Sequence, residues 1–247
     1  MSWVAYGAAA IVTTASALGA MYVAPYAIKW RQRRESRVLC QQQRCLVLTY
    51  DDGPSSDITP PLLDLLSSHR AVATFFVLGE HAVANPRLVD RIVSEGHEVG
   101  CHSAHHYHPW RTLPWKLTRD MVEGYRLLSP WIRKNGLYRP PYGKPYLPVF
   151  LRLALRRARL AWWTIDSGDT FTIRPPIENT LAAVRSAGGG VILMHDRREN
   201  SESHRRYVLE MTDRLLQLAR NEGLALKRLS ELFSVHSGRT PEDPDAP

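Results

Sequence analysis

Short apolar segments alternate with segments of helical period along most of this chain, and that alternation constrains its fold more than any other feature. Residues 45–50, 71–78, 97–100, 160–165 and 190–194 read as strands, rich in aliphatic, β-branched or aromatic side chains. Between them, residues 58–68, 85–94, 118–134, 147–157, 177–187 and 203–221 read as helices. Asn85-Pro86 opens one helix and Asn135-Gly136 closes another. Residues 138–143 must be extended, since Pro140, Pro141 and Pro145 lie in or beside them, and 224–226 reads as a last short strand. Strands joined through helices run parallel, and about seven such units imply a small α/β barrel more than an open sheet. In a barrel, chemistry sits just past the C-terminal ends of the strands.

The N-terminal stretch departs from this pattern. Residues 2–28 carry no charged side chain, and about 27 residues of helix reach about 40 Å, against a bilayer core of about 30 Å. Trp3 and Tyr6 at one end, and Tyr22, Tyr26 and Trp30 at the other, suit the two interfaces. No basic segment precedes the stretch, which argues against an ordinary signal peptide. We expect residues 1–30 to be a single-pass membrane anchor and 31–43 a basic linker. Residues 44–233 would be the folded domain, and 234–247, rich in proline and acids, a disordered tail. Five bases and one acid in residues 29–37 would place the domain in the cytoplasm by the positive-inside rule. The net charge of +8 suits anionic lipid heads or polymers, but no helix-turn-helix, zinc-finger or stacking-sheet signature is present, so no nucleic-acid partner is expected. Cys40, Cys45 and Cys101 make neither a C-x-x-C metal pair nor a disulfide framework, and read as unpaired small hydrophobes.

The strand ends carry the candidate chemistry. In LVLTYDDGPSS two adjacent carboxylates, Asp51 and Asp52, end the first strand before a Gly53-Pro54 turn. Either they cap a turn, or a cation offsets their repulsion. His102 and His106, in CHSAHHYHPW, would share one face of a helical turn, as in zinc sites. Asp51 or Asp52 would add the third ligand, and two histidines with one carboxylate leave positions open for water and substrate. The other aspartate would then be free to act as a base, held by Arg139. His195, the first polar residue after GVILM, could protonate a leaving group, oriented by Asp166 or Asp169. Base, acid and electrophile of a metal-assisted hydrolysis are all supplied.

With these residues in view, the chain resembles the polysaccharide deacetylases, the carbohydrate esterase family 4 related to nodulation chitooligosaccharide deacetylases, over about residues 44–233. Five motifs of that family occur in order: Thr49-Tyr50-Asp51-Asp52-Gly53-Pro54, His102-Ser103-Ala104-His105-His106, Arg139-Pro140-Pro141-Tyr142-Gly143, Asp166-Ser167-Gly168-Asp169 and Leu193-Met194-His195. ATFFVLG at 73–79 also looks like the family's second strand. The resemblance implies a distorted (β/α)7-type barrel as the catalytic domain. It implies hydrolysis of N-acetyl, sometimes O-acetyl, groups on a glycan with a divalent metal, usually Zn2+. It implies Asp51 as base, Asp52, His102 and His106 as metal ligands, Arg139 as the residue orienting Asp51, and Asp169 as the partner of an acid, His195. The backbone N–H of Tyr142 would help hold the oxyanion, and Trp163 and Leu193 would line the slot for the acetyl methyl. Tyr50 stands where the family has Phe, and Thr170 where it has Trp. The acetylated partner could be peptidoglycan, a chitin-like oligomer, an exopolysaccharide or a lipid-linked sugar. Family members commonly act outside the cytoplasm, opposite to the charge bias at 29–37. The rival reading is a catalytically inactive, membrane-anchored glycan-binding barrel. Retention of both aspartates and both histidines favours the enzyme.

Overall fold

The computed structural model describes residues 3–133, 135–144, 146–197 and 202–234, with side chains from residue 23 onward. At its centre is β1 (Cys45–Asp51), parallel to β2 (Thr74–Val77) on one side and to β5 (Gly190–His195) on the other. The sheet continues outward to β3 (Glu98–Cys101) and β4 (Ile165–Asp166), while the two-residue β6 (Ala225–Leu226) pairs with the first residues of β1. Every pairing is parallel, as helical crossovers demand. Isolated parallel bridges, Cys101 to Tyr138 and Tyr138 to Leu160, carry the sheet round to the segment that enters β4. The sheet thus closes on itself as a distorted α/β barrel.

The expected strand at 160–165 is reduced to that bridge and β4 because its neighbour cannot continue the ladder. Pro140 and Pro141 follow Arg139 directly and have no N–H to offer. The helix expected over 118–134 is α5 (Pro114–Leu127); it starts on a proline and ends before Pro130, which disfavours helix at Ser129. A short helix, α3 (Gly79–Ala84), precedes α4 (Pro86–Ser94) and was not expected. The remaining helices are α2 (Thr59–Ser68), α6 (Leu147–Arg156), α7 (Ile177–Ala187), α8 (Glu202–Glu222) and α9 (Leu229–Ser234).

Period two along the strands separates two cores. Leu46, Leu48 and Tyr50 of β1, with Phe75, Ile192 and Met194, pack outward against the helices. Cys45 and Val47, with Phe76 and Val191, fill the barrel interior. Thr49 and Asp51 continue that inward face. All seven residues of β1 are buried, so apart from Thr49, whose hydroxyl is hydrogen-bonded, its sequence is apolar or aromatic until Asp51 at its end. Cys40, Cys45 and Cys101 are free and buried.

Residues 31–43, expected to be a linker, are mostly the last turns of α1 (Trp3–Gln42), a single 40-residue helix. Its packed stripe runs Pro25, Lys29, Gln32, Arg33, Ser36, Leu39 and Cys40, a helical period in which most members are polar or charged. Leu39 and Cys40 join the interior core. Trp162 donates its indole N–H to Gln32 at 2.7 Å, and Arg33 donates Nε–H to the Trp163 carbonyl at 2.8 Å. Among the described residues no helix is long and apolar enough to cross a membrane. The side chains of the expected anchor up to Tyr22, and the expected tail from residue 235, lie outside the described residues.

Candidate metal centre and active site

The register of β1 against β5 brings the site together. Asp51 pairs with His195 and Thr49 with Leu193, so all four side chains share the inward face. Arg139 rises inside the barrel, 0% exposed, with its guanidinium 4.0 Å over the Phe76 ring. One amino group of Arg139 donates to Asp51 Oδ1 at 2.7 Å and to Thr49 Oγ1 at 2.8 Å. Thr49 in turn donates to the Ile192 carbonyl at 2.6 Å. The Asp51 carboxylate is therefore held from below by a cation that is itself locked in the core.

Asp52, with φ +71°, turns away from its neighbour toward the two histidines. Its Oδ1 lies 3.2 Å from His102 Nε2 and 3.1 Å from His106 Nε2. The three ligand atoms fall within 4.8 Å of one another. The histidines do not occupy a helical turn, as their spacing had implied. They sit on an irregular loop after β3, with Ser103 at φ +73° and His106 at φ +56°, and that backbone aims both rings at Asp52. Ser103 is pressed by α5, where a Cβ on Gly124 would lie 2.5 Å from the Ser103 carbonyl carbon. His102 donates Nδ1–H to the Arg139 carbonyl at 2.8 Å, which leaves its Nε2 as the ligand atom facing Asp52. Asp52 Oδ1 is buried with no hydrogen-bond partner. A buried carboxylate oxygen facing an imidazole lone pair fits a divalent cation, and two nitrogens with one oxygen are a catalytic-type donor set.

On the other side of Asp51, His195 donates Nδ1–H to Asp169 Oδ1 at 3.0 Å, and the His195 backbone N–H donates to Asp169 Oδ2 at 2.7 Å. Burial pushes the imidazole pKa down, but the Asp169 carboxylate more than offsets this, and the result is about 9. Asp166, the other candidate to orient His195, instead accepts the Gly168 N–H at 2.9 Å and shapes the turn that delivers Asp169. Gly168 has φ +70° there, and a Cβ would lie 2.8 Å from the Pro175 ring.

Of the proposed slot residues, Leu193 is buried and Trp163 half-buried. The loop at Pro141–Gly143 lies against that indole, with a Gly143 Cβ position 2.3 Å from it. Tyr142, at φ +58° and 49% exposed, sets its ring 4.6 Å from that of His106. Lys29 of α1 donates to the Gly143 carbonyl, so α1 braces both slot loops.

Two site features escaped the sequence reading. Asp196, next to His195, accepts from Thr59 Oγ1 at 2.6 Å and fills the space beside Gly53, where any Cβ would lie 2.1 Å from its carboxylate. Burial raises its pKa to about 7. Tyr207 of α8 donates its hydroxyl to the Ser167 carbonyl at 3.0 Å, steadying the turn before Asp169. The only signal for Asp196 was its place beside a singled-out histidine, and Tyr207 had none.

Comparison with known proteins agrees with this geometry. The sequence profile of the polysaccharide deacetylases matches residues 39–160. A peptidoglycan-N-acetylglucosamine deacetylase of Bacillus cereus is 28% identical over 193 residues, covering 77% of this chain and 89% of that protein. A chitooligosaccharide deacetylase of a Bradyrhizobium species is 33% identical over 158 residues, covering 62% and 71%. The solved structure of the peptidoglycan deacetylase PdaC from Bacillus subtilis superposes with a TM-score of 0.66 at 27% identity, over 81% of this chain and 94% of that one. A relative one-third identical over most of its own length, with the same fold beneath it, shows that the chain belongs to the polysaccharide deacetylase family.

Proposed function

We propose that this polysaccharide deacetylase removes N-acetyl groups from N-acetylglucosamine units of a cell-envelope glycan, of the peptidoglycan or chitin-oligomer kind, using a zinc ion. The observation that carries the reading is the pairing of Asp51 with His195 across β1 and β5, with the Asp52–His102–His106 cluster alongside. A divalent cation held by Asp52, His102 and His106 would acidify a water and polarise the acetyl oxygen. Asp51, oriented by Arg139, takes a proton from the attacking water as its oxygen bonds to the acetyl carbon. The Tyr142 N–H lies in the loop beside His106 and supports the developing oxyanion. His195 gives its proton to the amide nitrogen as the carbon–nitrogen bond breaks, leaving acetate and a free amino sugar. Asp169 keeps that imidazole protonated and its other nitrogen aimed at the cleft. Leu193, buried, and Trp163, half-buried, are the side chains that would line the slot for the acetyl methyl.

The uncharged run at 2–28 and its flanking aromatics support a second part of the reading, a single-pass anchor formed by the N-terminal half of α1. Because Tyr26 already meets Trp110 and Lys29 meets Gly143, the spanning part would end by about Pro25.

Acetate release from N-acetylglucosamine oligomers, with and without a chelator, tests the activity. We expect release that stops on chelation and returns on adding Zn2+. Chelator-insensitive release, or activity that survives loss of His102, would overturn the metal-dependent reading.

A further inference from the structure

Along α1 runs a groove of about 600 Å3 that the deacetylation chemistry does not use. Its lining gathers Lys29, Arg33, Arg34 and Arg37 with Tyr26 and Trp30, and contains no acid. Lys29, Arg33 and Arg37 succeed one another at i, i+4 spacing, so about 12 Å of one helix face stacks three like charges, an arrangement that works against the helix unless something neutralises it. The nearby acids do little. Glu35 points to Arg159, at 3.0 Å, and Asp166 acts on Arg33 from the end of β4. Among the described residues no carboxylate pairs with Arg34 or Arg37. Trp30 is 66% exposed with the Arg34 guanidinium 5.8 Å above it, so neither side chain is there to pack the fold. The groove begins where the uncharged run of α1 ends.

We propose that this groove binds the phosphate of an anionic membrane phospholipid. Arg34 and Arg37 would reach back toward headgroup phosphates, and Trp30, five residues or about 7.5 Å of helix past Pro25, would lie among the headgroups. Bases immediately after an uncharged helix, interleaved with exposed aromatics, are the chemistry of a membrane interface. The proposal rests on the anchor reading, which brings the groove to headgroup height. Lys29 and Arg33 of the same face hold Gly143 and Trp163, so a seated headgroup would adjoin the mouth of the cleft.

The test is flotation of the full chain with vesicles of phosphatidylcholine alone, or of phosphatidylcholine with phosphatidylglycerol. Wild type, the Arg34→Gln/Arg37→Gln double variant and the Arg34→Lys/Arg37→Lys double variant are compared. All three should float in part with the neutral vesicles, at a lipid concentration low enough to leave most of the chain unbound, which reports the anchor and leaves room to read a gain. Phosphatidylglycerol should strengthen wild-type binding on the order of tenfold, and high salt should erase the gain. The glutamine variant should lose the gain and the lysine variant keep most of it. Acetate release in detergent, unchanged by the glutamine pair, shows that the variant folds; if it does not fold, Arg37→Gln alone carries the test with about a fivefold loss. A glutamine variant that gains as much as wild type overturns the proposal. So does inorganic phosphate that abolishes the gain at matched ionic strength, because the site would then serve free phosphate. Failure on neutral vesicles with an arginine-dependent gain intact would sink the anchor and leave the groove standing.

Discussion

Asp51 and Asp52 are neighbours in the chain, yet their environments assign them different work. Asp51 faces Arg139 and Thr49, and Asp52 faces two imidazoles. Asp51→Asn should therefore keep full metal content and lose turnover by about 10²–10⁴-fold, whereas Asp52→Asn should lower metal content itself. Metal analysis beside acetate release separates the two. The Asp169–His195 pair sets pH behaviour. Its imidazole pKa is raised from 6.5 to about 9, so the pair's contribution to stability is complete below pH 6.5 and is lost as pH rises through about 9. From the carboxylate side, the Asp169 pKa is lowered, so its contribution holds above 3.8 and fades as pH falls below that. Turnover that needs a protonated His195 should fall on the alkaline side near pH 9. Asp169→Asn should move that limb toward the ordinary histidine range, and an unmoved limb would show that another group sets it. The places of these residues were legible in the sequence because each lies at or just past a strand end, where polar groups have no packing reason to be. Which aspartate would hold the metal, and that Asp169 and not Asp166 partners His195, came only from the family resemblance. The loop that carries His102 and His106 was not legible, because left-handed backbone at Ser103 and His106 leaves no periodic trace.

Among the elements, α1 was the least readable and matters most to the site. A packed helix normally shows itself by an apolar stripe, but this stripe is mainly Lys29, Gln32, Arg33 and Ser36, each satisfied by a hydrogen bond and not by apolar burial. Pattern reading took a polar stripe for a solvated linker. Its partners explain the choice of residues, because the loops at Gly143 and Trp162–Trp163 present carbonyls and an indole N–H and not aliphatic surface. Gln32→Leu should leave the buried Trp162 N–H without an acceptor and cost about 1–3 kcal/mol, read as a lower urea midpoint at unchanged m-value. A midpoint equal to wild type would mean that the indole finds another acceptor. The central strands β1 and β5 were readable because both faces are buried and their sequences are mostly apolar up to the site residues at their ends. The extended segment read over 138–143 and the strand read over 160–165 were only partly right: they join the sheet through single bridges at Tyr138 and Leu160 and through the two-residue β4, because Pro140 and Pro141 end the ladder.

At the scale of the molecule, α1 divides into a part that belongs to the barrel and a part that does not. Removing residues 1–22 should leave a folded domain that still binds metal and releases acetate from soluble oligomers. Removing 1–42 strips Leu39 and Cys40 from the interior core together with the hydrogen bonds to the slot loops. That shorter form should aggregate or lose activity, as size-exclusion chromatography and acetate release would show. The alternation of strands and helices was enough to anticipate a barrel, but not that its bottom and one wall are completed by a helix from outside the repeating pattern. Because α1 runs as one helix from Trp3 to Gln42, with Pro25 as its one proline, it has far less slack than a coil. A flexible tether of 13 residues would let a domain wander by about 20 Å, whereas a helix gives a fixed stand-off. If the N-terminal half sits in a bilayer, the enzyme works on a very short leash. On the outer side of that bilayer it would trim only the glycan that passes immediately over the lipid, and strands farther out would lie beyond its reach.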